Sequence, residues 1–183
     1  MALVVAGVDP GLGPRRTGIA IVVRSGSKWV LIETRLVSLE EAAGILEALR
    51  PHVVAVDSPL SPPPPGSPWR RVDLLGKRLG LRLLPPGWKG MRRMVMRVVQ
   101  LLVERGLPVI ETHPSSVVRV SGCRSAEVLV ALCFDVVLAR PASRDEWDAA
   151  VSACVARMYA EGRIARIEAS DGSIWLVEPG LCG

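Results

Sequence analysis

The sequence has no asparagine, one glutamine (Gln100), one tyrosine (Tyr159), one phenylalanine (Phe134) and two histidines, His52 and His113. Lysine is nearly missing too: Lys28, Lys77 and Lys89 stand against twenty arginines. This bias fits a GC-rich genome or a hot environment that penalises thermolabile amides. No apolar run approaches the roughly 18–20 residues that cross a bilayer, and Leu3–Val8 is cut by Asp9, too short for a signal segment. The reading is a soluble, cytoplasmic protein. No CxxC pair links Cys123, Cys133, Cys154 and Cys182, so the spacing argues against a zinc site and for buried thiols, with a disulfide left open. No GxxxxGK[ST] phosphate loop occurs.

What is present is 183 residues, 49% hydrophobic and 22% charged, with a net charge of +5. That length and apolar fraction predict one folded domain, 1–183, and exclude a largely disordered chain. Its core is expected over 3–162, with an extension over 163–183.

Short β-branched runs bounded by turn residues predict three antiparallel strands, over Leu3–Asp9, Ile19–Val23 and Trp29–Val37. Ser38 with Glu41 has capping-box spacing and starts a helix that Pro51 stops. Val53–Val56 reads as a strand buried on both faces, followed by the rigid tract Pro62–Pro65. Helices are predicted around Val72–Leu79 and Met91–Arg105, then a short strand at Pro108–Ile110. Further helices follow over Pro114–Val120, Ala126–Phe134 and from the Ser143/Glu146 capping box to about Glu161. Asp171-Gly172 marks a terminal hairpin. The order predicts a mixed α/β sheet with helices on both faces.

Three of these strands end at acids: Asp9, Asp57 and Glu111. If the strands are parallel neighbours, their carboxyl ends share the edge where open α/β sheets place ligands. Asp145 and Asp148, three apart, share a helix face that can point to the same edge. Carboxylates gathered this way raise one another's pKa, and hard divalent cations such as Mg²⁺ or Mn²⁺ relieve the repulsion. Two such ions can activate a water and stabilise the leaving oxygen of a phosphodiester.

From Pro62 to Arg105 stand ten basic residues and two acids, a net +8 in a chain of +5. Such a segment suits a phosphate backbone. Arg70, Arg71, Lys89, Arg92 and Arg93 are its candidate contacts, with Trp69 and Trp88 as stacking surfaces. His113, two residues beyond Glu111, is a candidate for positioning water or phosphate.

The runs Gly7-Val8-Asp9-Pro10-Gly11 with Thr17-Gly18, Val56-Asp57-Ser58-Pro59-Leu60, Ile110-Glu111-Thr112-His113-Pro114 and Asp145-Glu146-Trp147-Asp148-Ala149-Ala150 resemble an uncharacterised domain family of predicted nucleases with an RNase H-like fold. The chain is similar, more distantly, to the Holliday-junction resolvases of that superfamily. The resemblance implies a five-stranded sheet of order 3-2-1-4-5 with strand 2 antiparallel. It also implies metal ligation by Asp9, Asp57, Glu111 and Asp145 or Asp148. The function expected is divalent-metal-dependent cleavage of DNA or RNA. The apolar surplus leaves room for a homodimer. Two other readings stay open: a non-catalytic nucleic-acid-binding module on the same fold, and an actin-like nucleotide-binding ATPase, which would need a second lobe.

Overall fold

The computed structural model describes residues 3–183. Its main sheet has six strands: β1 (Leu3–Asp9), β2 (Thr17–Ser25), β3 (Lys28–Val37), β4 (Val53–Val56), β5 (Val109–Glu111) and β6 (Val136–Val137). Their spatial order is β5-β4-β1-β2-β3-β6. β1 and β2 pair antiparallel, whereas β1, β4 and β5 run parallel. The expected five-strand order is present, and the sheet goes one strand further. β6 is only two residues long and pairs parallel with β3 through Val30 and Leu31. A strand this short has no alternation to betray it. It forms because Asp135 beside it accepts from the Trp29 N–H and its own N–H donates to the Trp29 carbonyl.

Helices cover both faces. α1 (Leu39–Leu49) and α3 (Lys89–Val98) lie on one side, where Leu46, Val98 and Leu102 pack against Ala6, Val8 and Ile21. On the other side α6 (Arg144–Ala160), α4 (Pro114–Ser121), α5 (Ala126–Cys133) and α2 (Arg71–Arg78) share a core with Val5, Ala20 and Val22. Strand alternation sends Val5 to one core and Ala6 and Val8 to the other. α3 stops earlier than the predicted end at Arg105. A π-helical turn, Val99–Val103, follows it, and Leu101 and Leu102 within it are both buried.

α6 is buried nearly all round, from Ala149 through Ala156, because it lies between the sheet and α4 and α5. Its approach to the sheet is set by two glycines. A Cβ on Gly7 would fall 2.0 Å from the Ala149 carbonyl oxygen, and one on Gly18 would fall 2.1 Å from that of Asp145. Only hydrogen side chains let the helix backbone rest on β1 and β2. Ser143 caps the helix by accepting from the Glu146 N–H.

The terminal hairpin, β7 (Ala165–Ala169) and β8 (Gly172–Leu176), is built into the fold. Asp171 at its turn accepts from the backbone N–H groups of Arg71 and Val72, capping α2. Thr112 Oγ1, just beyond β5, donates to the Trp175 carbonyl at 2.8 Å. Beyond the hairpin, Cys182 forms a disulfide with Cys123, while Cys133 and Cys154 are free and buried. The cross-link spans 59 residues, a loop whose closure in the unfolded chain is worth about 4 kcal/mol of entropy. No helix among the described residues is long and apolar enough to cross a membrane.

Gly7→Ala is expected to cost at least about 1–3 kcal/mol, the penalty for overpacking a core. The methyl would meet backbone that cannot rotate away. Thermal melts check this, and an unchanged Tm would mean α6 can lift from the sheet without loss.

Candidate active site

The register of the three parallel strands brings their ends level. Val8 pairs with Val56, and Val56 with Glu111. The Asp57 N–H donates to the Val8 carbonyl at 2.8 Å, so Asp57 stands directly beside Asp9. From the opposite face, the first turn of α6 delivers Asp145 and Asp148 over Gly18. Asp9, Asp57, Asp145 and Asp148 are all part-buried. Among the described residues, no hydrogen bond reaches the side chains of Asp9, Asp57 or Asp145, and Asp148 meets only Arg144 at 3.5 Å.

Their electrostatics follow from this crowding. Burial first, then Asp148 and Asp145, push the Asp9 carboxyl up to about 7, against the pull of Arg144. Burial, followed by Asp9, Asp148 and Glu111, drives Asp57 well above the usual carboxylate range. Burial also raises Asp148, with Arg144 opposing and Asp145 adding to the rise. Four acids from three elements therefore hold charge at one edge with a single arginine as local relief.

Glu111 is at the same edge but differently employed. It is 5% exposed, and both of its oxygens accept from Arg70, at 2.5 and 2.7 Å. The Leu60 N–H donates to it as well, at 3.0 Å. Arg70, only 1% exposed, spends its remaining donors on Asp73 at 2.6 and 3.0 Å and on Ser61. Burial pushes the Glu111 carboxyl up and Arg70 opposes it; burial disfavours the charged Arg70, but its two carboxylates outweigh that. The sequence reading took Glu111 as a metal ligand and Arg70 as a phosphate contact. In the structure the two are paired with each other, because a guanidinium inside the fold must satisfy its donors.

The other predicted contacts are exposed. Arg71 sits at the start of α2, reaching Ser170. Lys89, Arg92 and Arg93 occupy the first turn and a half of α3. Trp88 just before them is 59% exposed, whereas Trp69 is covered by Lys77, whose Nζ lies 3.9 Å from the ring centroid. His113 is part-buried, its Nδ1 2.7 Å from Ser116 Oγ, and burial lowers its pKa.

A cavity of about 320 Å³ is lined by Asp9, Asp57 and His113 together with Met91 and Met94. A second depression is lined by Asp9, Asp145 and Arg16. Sequence reasoning passed over Arg144 as a local contact of the acids. For Arg144 the signal was its place immediately before Asp145, in the cap of α6.

Among the described residues, no three His, Cys, Asp or Glu side chains are placed so that they could hold a metal ion together. The donor chemistry nevertheless suits a hard divalent cation: unpaired carboxylate oxygens, no thiolate, and mutual repulsion that a cation would relieve.

This arrangement is an RNase H-like fold, with acids at the carboxyl ends of its central strands. A solved structure agrees on the fold. The Thermus thermophilus RuvC structure matches with a TM-score of 0.51 at 20% identity, over 87% of this chain and 97% of that one. T. thermophilus RuvC in complex with Holliday junction substrate matches with a TM-score of 0.48 at 21% identity, over 87% and 96%. No protein-family model matches the chain, and no curated protein matches it by sequence.

The raised Asp9 pKa predicts how stability depends on pH. The folded state holds this proton more tightly than the unfolded chain, so stability falls as pH rises from about 3.8 through about 7. Asp9→Asn escapes that loss. In EDTA the variant is expected to gain on the order of 2 kcal/mol at pH 8, allowing for solvent screening, and nothing below pH 4. Melts across that range check it; a gain independent of pH would remove charge as the cause.

Proposed function

We propose that this chain is a divalent-metal-dependent nuclease that hydrolyses phosphodiester bonds in nucleic acid. The observation that carries the reading is the set of part-buried carboxylates at one sheet edge: among the described residues no hydrogen bond reaches the side chains of Asp9, Asp57 or Asp145, and Asp148 has only Arg144 at 3.5 Å. Evolution of a stable fold alone would pair or remove such charges.

In this reading Asp9 and Asp57 hold the cation from the strand side, and Asp148 with Asp145 from the helix side. Two Mg²⁺ or Mn²⁺ ions there would lower the pKa of an attacking water and stabilise the departing 3′-oxygen. The protein's own side chains do the rest. Lys89, Arg92 and Arg93 bind the phosphate backbone at the start of α3, where free backbone N–H groups add to their charge. Trp88, exposed beside them, offers a stacking face. His113, whose pKa burial lowers and whose Nδ1 is engaged by Ser116, presents its other nitrogen to a water or phosphate oxygen. Glu111 contributes by holding Arg70, which ties the α2 start to the β5 end.

The fold shared with the RuvC structure supports a nucleic-acid-processing role.

Labelled single-stranded, duplex, hybrid and branched substrates incubated with Mn²⁺, Mg²⁺ or EDTA test the activity. Cleavage is expected only with the divalent ion, and Asp9→Asn is expected to lower it by at least about 100-fold, the scale of losing charge stabilisation at a reacting phosphate. Binding without cleavage under every ion would replace the nuclease with a binding module. For the basic helix, Arg92→Ala with Arg93→Ala is expected to reduce the slope of log K against log salt by up to about 2. An unchanged slope would take both arginines off the phosphate path.

A further inference from the structure

The cavity beside the acids has a lining that metal chemistry does not call for. Beside Asp9, Asp57 and His113 it is lined by apolar side chains, including Leu83, Met91 and Met94. The other polar groups in it are already committed: Asp73 and Glu111 to Arg70, and Thr112 to the Trp175 carbonyl. Its volume, about 320 Å³, is at the low end of the roughly 300–1,000 Å³ of small-ligand clefts. That is room for one planar heterocycle and not for a base pair.

We propose that this cavity receives one unstacked nucleobase, so that the substrate is a nucleic acid carrying an unpaired nucleotide beside the bond to be cut. The proposal rests on the nucleic-acid reading above and narrows its substrate class. A nucleotide whose phosphate lies at Asp9 and Asp57 has its base within reach of the cavity, since the same two residues line both. Thioethers of Met91 and Met94 give polarizable, adaptable contact to a ring face. Extrusion from a duplex costs unstacking energy, and the cost is least where the base is already unpaired. The cavity also has no Asn, Gln, Arg or Lys in its lining, so it lacks the bidentate groups that distinguish one base from another. It therefore selects for an unpaired base and not for a sequence. Exposed Trp88 and Lys89, immediately before the cavity-lining Gly90, flank its approach along the chain.

Gly90 makes the proposal testable without harming the fold. A Cβ built there meets nothing within 4 Å, so a larger side chain can be added to the first turn of α3 without a clash. Binding is measured in Ca²⁺ buffer with two duplexes of one sequence, one fully paired and one carrying a single unpaired 2-aminopurine. The wild-type protein is expected to prefer the second by about tenfold, the scale of one stacking contact. The 2-aminopurine emission should rise as the base leaves its stacked neighbours. Gly90→Leu, and separately Met91→Phe, crowd the cavity and are expected to lose the preference and the rise while binding the paired duplex as wild type does. Gly90→Ala, which leaves the cavity open, should keep both. Wild-type preference retained in both crowding variants, or no preference in the wild type, would overturn the base pocket while leaving nucleic-acid binding intact. Failure of the wild type to bind either duplex would overturn the nucleic-acid reading and the pocket with it.

Discussion

The site depends on a helix backbone lying directly on a sheet. Side chains normally hold a helix and a sheet well apart. Here Gly7 and Gly18 remove that spacer under α6, and the small residues Ala149, Ala150 and Ala153 do the same from the helix side. The result is that a carboxylate on the first turn of α6 reaches the level of a carboxylate at the end of β1. Close packing creates the charge cluster, and the same packing, worth much in dispersion and burial, offsets the repulsion within it.

Around this centre the structure manages charge in two ways. Inside, Arg70 is enclosed by Asp73 and Glu111, and each donor and acceptor is used. That triad joins α2 to β5, and the terminal hairpin completes the joint through Asp171 and Thr112. The disulfide from Cys182 to Cys123 then ties the chain's last residues to the end of α4. At the edge, by contrast, Asp9 and Asp57 are left without partners. Two kinds of buried acid a few residues apart in the sheet thus differ in whether the protein supplies its own counter-charge.

Much of this was legible in the residue order. The acids at the ends of β1, β4 and β5 stand out because each closes an apolar run, and the capping boxes at Ser38 and Ser143 locate α1 and α6. The five-strand order came through resemblance to a known fold, and the sheet reproduces it. Less visible were features that depend on contacts distant in sequence. β6 has two residues and exists through Trp29, and the π turn after Val98 leaves no mark in the apolar spacing. Arg70 looks like any member of a basic run until α2, β5 and the hairpin enclose it. Trp69 and Trp88 are alike in sequence, yet only one is left uncovered.

The sequence by itself determined where strands end, which ends carry acids, where the positive charge concentrates and that an α/β sheet forms, because these follow from local periodicity, turn chemistry and composition. Only the tertiary structure decided which acids remain unpaired, which arginine is interior and that an apolar cavity adjoins the acidic edge. Pairing and enclosure depend on which surfaces meet, and residues as far apart as Arg70 and Glu111, or Asp9 and Asp148, meet only when the sheet and its helices are assembled.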